Sequence, residues 1–102
     1  MEFLVISNPT TTDIGLEELS NVRDGINQFK NDTRTKTLYG FAGREGGVMI
    51  CEVETAGELD EFLSLNPISR IRDYDIVPLA TVEERNALLD KVERHLEAEE
   101  AA

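Results

Sequence analysis

Two short runs, EFLVIS at residues 2–7 and VMICEV at residues 48–53, set the main constraint on what this chain can become. Both are rich in strand-forming residues, and side chains alternate between the two faces of a strand. Phe3 and Val5 therefore point away from Leu4 and Ile6, and Val48 and Ile50 point away from Met49, Cys51 and Val53. Each run is apolar on both sides, so a sheet built on them needs cover on both faces. Leaving about four such side chains wet forfeits roughly 1.5–3 kcal/mol apiece, against a total stability of about 5–15 kcal/mol.

The remaining pattern supplies helices and two further strands. Leu16, Leu19, Val22, Ile26 and Phe29 recur at spacings of three and four, which predicts a helix with one apolar stripe. The polar loop at residues 8–13 precedes it, and its Asn, Thr and Asp side chains suit a helix cap. Gly25 inside the helix weakens it by up to about 1 kcal/mol relative to Ala, and residues 31–33 end it. Residues 34–43 read as a second, more polar strand. GREGG at 43–47 reads as a hairpin turn with no helix after it, which excludes a phosphate loop. Thr55 and Glu58 have capping-box spacing ahead of Leu59, Phe62 and Leu63, and Asn66-Pro67 closes that short helix. The segment NPISRIRDYDIVPL at 66–79 supplies a fourth strand, but its alternation slips. Ile71 shares parity with Val77 and Leu79, whereas Tyr74 and Ile76 have the other parity. The regular strand is expected to begin near Asp73, or a bulge to sit just before it. Thr81 and Glu84 form a second capping box, and Val82, Leu88, Leu89, Val92 and Leu96 carry a last helix that frays after Glu97. One domain over residues 1–97 and an acidic tail at 98–102 follow.

The order β-α-β-β-α-β plus a terminal helix is the ferredoxin-like α+β pattern. Its first and third strands are central; its second and fourth are edges, where charge and Pro are tolerated. Arg70, Arg72, Asp73 and Pro78 fit an edge. Two crossover helices roof one face of such a sheet. A second copy packed sheet against sheet, or the terminal helix folded back, would roof the other. A homodimer with the terminal helix contributing across the interface is the favoured arrangement, since two-fold dimers are the commonest oligomers.

Charge narrows the partners. With 10 Lys and Arg against 21 Asp and Glu, the 102-residue chain carries a formal charge of −11, which argues against nucleic acid and against anionic membrane surfaces. The single cysteine, Cys51, allows no internal disulfide and reads as a small buried hydrophobe. His95 is the sole histidine, and no His/Cys cluster suggests a metal. The start, MEFLVI, has neither the basic flank of a signal peptide nor the length of a membrane span, so a cytoplasmic location is expected.

Residues 38–79 carry a family resemblance. They comprise the PheAlaGly of the second strand, the ValMetIleCysGluVal strand, the helix from Thr55 to Pro67, and the AspTyrAspIleValProLeu strand. In these features the chain resembles the muconolactone isomerase family of small dimeric α+β barrels. The resemblance implies a barrel enclosed between two copies, and a cofactor-independent and metal-independent transfer of a proton between carbons of an unsaturated lactone. The chain departs from the family where an Arg before the Ala-Gly and a His after it are expected. Here Gly40-Phe41 precedes Ala42-Gly43, and Arg44 follows.

Such chemistry needs a base, a proton return and a donor for the enolate oxygen. Glu52 is the candidate catalytic base. It shares parity with Val48 and Ile50, so it can face the enclosed space, where burial would raise its pKa; the alternative is a strand-end carboxylate in water. Tyr39, Arg44, Tyr74 and Asp75 are candidate substrate-binding residues. Arg44 or Arg72 can hold a carboxylate or pair with Asp73 and Asp75, an ordinary surface ion pair being the plainer reading for Arg72. A small organic ligand and a second copy are thus the expected partners, with a non-catalytic oligomeric or regulatory module and a cofactorless monooxygenase on an aromatic compound as alternatives.

Overall fold

The computed structural model describes residues 1–11 and 13–102. The elements run β1 (Glu2–Pro9), α1 (Leu16–Asn31), β2 (Thr35–Gly40), β3 (Gly47–Glu52), α2 (Ala56–Ser64), a 3-10 turn at Pro67–Arg70, β4 (Arg72–Leu79) and α3 (Val82–Ala101). The four strands form one antiparallel sheet in the order β2-β3-β1-β4. This is the ferredoxin-like arrangement, with the two doubly apolar strands in the centre.

Register fixes which residues share a face. Phe3 lies opposite Cys51 and Val5 opposite Met49, so these four point to the helix side. They join Val22, Phe29, Val53, Leu59, Phe62, Leu63 and Ile68 in the buried core. Phe29 and Phe62 meet edge to face at 5.3 Å between centroids, which locks α1 against α2. On the other side Leu4 lies opposite Ile50 and Ile6 opposite Val48, with Val77 and Leu79 beside them. These side chains are half-buried or exposed.

Local rules account for most element ends, with some differences from the sequence reading. The N-cap of α1 is Gly15, whose N–H donates to the Glu18 carboxylate at 3.0 Å, rather than a residue of the preceding polar loop. Asn8 and Pro9 of that loop belong to β1, and Thr12 lies outside the described residues. At α2, Thr55 Oγ1 accepts from the Glu58 N–H at 3.1 Å, but the Glu58 carboxylate turns back one residue further, to the Glu54 N–H at 2.8 Å. The slip in alternation before β4 is the 3-10 turn, and the regular strand starts at Arg72, beside the expected Asp73, with no bulge in its pairing with β1. Asn66 caps the turn by accepting from the Ile68 N–H. The register shift of the sheet falls instead in β2, between Thr35 and Thr37. Thr81 and Glu84 form the full reciprocal cap of α3.

The terminal helix does not fold back. Among the described residues, α3 has no buried residue, packs against no other element, and continues to Ala101 instead of fraying after Glu97.

Candidate functional site

A cavity of about 80 Å³ opens between α1, the 3-10 turn and one end of the sheet. Its origin is a row of small residues across the strands. On the helix side Ser7 pairs with Gly47, and Gly47 pairs with Gly40. Where the neighbouring row offers Val5, Met49 and Leu38, these three positions offer almost no side chain, which leaves space beneath α1 beside Tyr74. Gly47 cannot carry a Cβ, which would lie 2.5 Å from the Tyr39 carbonyl oxygen. A Cβ on Gly40 would meet nothing within 4 Å and would project into free space. With about 10–15 Å³ needed for each water-sized group, the cavity takes roughly five to eight non-hydrogen atoms, and more where it opens to solvent.

Two polar side chains of β4 enter this apolar space. Arg72 is only 4% exposed in its side chain. Its Nη2 donates to Glu45 Oε2 at 2.9 Å and its Nη1 lies 3.5 Å from Ser7 Oγ. Its buried Nε has no hydrogen-bond partner among the described residues, and neither has the buried Tyr74 hydroxyl. An unpaired buried donor costs about 1–3 kcal/mol, so two on residues that line one cavity call for an acceptor. Burial pushes the Tyr74 phenol up to about 12, with Arg72 drawing it partly back, so at neutral pH it is a protonated donor. The arrangement is a largely apolar chamber lined by two residues, Arg72 and Tyr74, that each carry a buried, unpartnered donor.

The sequence-predicted residues separate. Tyr74 lines the cavity with its side chain. Tyr39 borders it from a position whose side chain pairs across the open face with Val48, and the residue is 67% exposed. Arg44 lies on the hairpin tip, where its guanidinium stacks over Phe41 at 4.3 Å instead of meeting an aspartate. Asp75 faces the open side and accepts from the Asn8 amide at 3.2 Å. Glu52 also sits on the open side, at the end of β3, half exposed and 3.4 Å from the Lys36 ammonium. It therefore lies across the sheet from the cavity, in the solvent-reaching position. Arg72 is the residue that the plainer reading misjudged: its partner is Glu45, and its guanidinium is buried. The signal for it was parity. Arg72 and Tyr74 share a face, and Tyr74 shares parity with Ile76.

Fold and cavity together define a ferredoxin-like α+β domain with a chamber between its sheet and its first helix. Neither a family model nor a curated protein matches the chain. Among solved structures it is similar to muconolactone isomerase, with a TM-score of 0.66 at 15% identity, over 79% of this chain and 90% of that one. The chain thus has a muconolactone isomerase-like fold.

Proposed function

We propose that this domain binds a small, largely apolar molecule carrying an acceptor oxygen, in the chamber beside Arg72 and Tyr74. The single observation behind this reading is the pair of buried, unpartnered donors, Arg72 Nε and the Tyr74 hydroxyl. A lactone carbonyl, a ketone or a carboxylate oxygen would satisfy both. Two fixed donors in a low-dielectric wall also stabilise an enolate oxygen better than water does. That is the electrostatic half of a cofactor-independent isomerisation by proton transfer, the activity suggested by the likeness to muconolactone isomerase.

One observation favours the plainer binding module. Among the described residues no carboxylate and no imidazole lines the chamber, so within one copy the base is missing. Glu52 remains the candidate base for a ligand held at the open face. Replacement by Gln decides its part: turnover of a small unsaturated lactone that survives Glu52→Gln removes it from the mechanism.

We further infer that a second copy covers the open face and α3. Both surfaces are apolar, both belong to the same chain, and they adjoin where Leu79 leads through Ala80 and Thr81 to Val82. A two-fold contact satisfies both at once.

Binding is tested with cyclohexanone, followed by amide chemical shifts. Shifts confined to Ser7, Gly47 and Tyr74, and weakened at least about fivefold by Tyr74→Phe, support the chamber. Gly40→Val should abolish them by filling the cavity from a position with room for a side chain. Saturable binding untouched by all three of Tyr74→Phe, Arg72→Met and Gly40→Val would place the ligand elsewhere.

A further inference from the structure

The Arg72 guanidinium is shared between a fixed and a releasable surrounding. Arg72 itself is held by burial, its side chain only 4% exposed, whereas Glu45, its partner at 2.9 Å, is 56% exposed in its side chain. Glu45 sits at the tip of the β2–β3 hairpin, between Gly43 and Gly46, whose φ angles are 79° and 113°. The hairpin is closed behind it by the Phe41 N–H donating to the Gly46 carbonyl at 2.9 Å. Glu45 thus rests on Nη2 of the guanidinium, and the buried Nε is left without a partner among the described residues. The ion pair as a whole is neutral.

This neutrality bears on what the chamber accepts. A neutral carbonyl oxygen takes the Arg72 Nε–H and the Tyr74 O–H and leaves Glu45 where it is. A carboxylate brings a second negative charge to a guanidinium that already has a counter-ion. It must either sit beside Glu45, a like charge near a low-dielectric wall, or displace Glu45 from Nη2. We propose that Glu45 is a specificity-determining residue: as a tethered counter-ion to Arg72 it makes the chamber select neutral carbonyl compounds, such as lactones and cyclic ketones, over carboxylates of the same size. The inference rests on the chamber being the ligand site and narrows its substrate class.

The test compares cyclohexanone with cyclopentanecarboxylate in the wild-type protein and in Glu45→Gln. Glutamine keeps an acceptor for Arg72 Nη2 and removes only the charge. The wild type should bind the ketone more tightly. Glu45→Gln should bind the carboxylate at least about fivefold more tightly than the wild type does, the equivalent of one exposed charge pair, while ketone affinity changes less than about twofold. An unchanged ratio of the two affinities overturns the role of Glu45, even with the ketone still bound through Tyr74. Failure of both probes to shift the Ser7, Gly47 and Tyr74 amides overturns the chamber itself, and the role of Glu45 with it.

Discussion

Two arginines show how burial and pairing separate structure from function at the scale of a residue. Arg34 is clamped: Asp32 accepts from it at 2.8 Å, Glu58 at 3.5 Å, and its guanidinium lies 4.2 Å over the Phe62 ring. The bond from Arg34 holds the Asp32 carboxyl below the usual carboxylate range, against a smaller opposing effect of burial. Arg72 is more deeply buried and less well satisfied. A buried charge with one exposed partner and an unpaired nitrogen is weak support for a fold. Arg72→Met in the ligand-free protein should therefore keep its urea midpoint or gain up to about 1–2 kcal/mol, while losing cyclohexanone binding. A loss of several kcal/mol on urea unfolding would make Arg72 a structural residue. Tyr74 gives the corresponding pH prediction. Its folded pKa, near 12, lies above the unfolded phenol value of about 10. The folded state holds the proton more tightly, so the stability it adds is complete below about pH 10 and is lost as pH rises towards 12. Urea unfolding between pH 9 and 12 should show a smaller decline for Tyr74→Phe than for the wild type; equal declines would mean that the hydroxyl is not buried in solution.

At the scale of elements, alternation and capping carried the reading a long way. The doubly apolar runs became the central strands, and Thr81 with Glu84 closed a reciprocal cap, because both signals are local. Contacts distant in sequence were not legible. The slip of parity before Asp73 reads equally well as a bulge or a late strand start; the structure has the late start, after a 3-10 turn whose Ile68 is anchored in the core. The chamber was hidden for the same reason, since Ser7, Gly40 and Gly47 become one row only when the register is known. Gly25 is the sharpest case. Taken alone it is a flaw in a helix. In the structure a Cβ there would lie 2.5 Å from Asn66 Oδ1 and 2.9 Å from Ile68 Cβ, while the Gly25 carbonyl accepts from the Asn66 amide at 3.0 Å. The glycine lets α1 approach the turn that ends in β4. Gly25→Ala, which helix propensity alone would score as stabilising by about 1 kcal/mol, should instead destabilise by about 1–3 kcal/mol through overpacking. Thermal unfolding decides the sign, and a gain in stability would show that the turn yields readily.

At the scale of the whole molecule, the single chain is extended. Its radius of gyration is 18.4 Å and its extents are 66 × 26 × 21 Å, whereas a compact chain of this length has a radius of about 13 Å. The excess is α3, which projects with Leu88, Leu89, Val92 and Leu96 exposed, beside a sheet face whose Val77 and Leu79 are exposed as well. Isolated helices of this kind are marginal in water without a packed face. Charge opposes self-association, because Glu2, Glu52, Asp73 and Asp75 share the open face and the chain totals −11. A dimer built on that face therefore has an apolar attraction indifferent to salt and a repulsion that salt screens. Sedimentation should find a dimer at micromolar concentration that tightens between about 0.05 and 0.5 M salt, where the Debye length falls below the width of the face. Ile50→Glu in the sheet and Leu89→Glu in α3 should each shift it to monomer with circular dichroism otherwise retained. The two variants test the two surfaces separately. If only Ile50→Glu dissociates it, the sheets alone make the contact and α3 is free. A monomer at all concentrations, with a scattering radius near that of the single extended chain, would mean that both apolar surfaces face water in the native state.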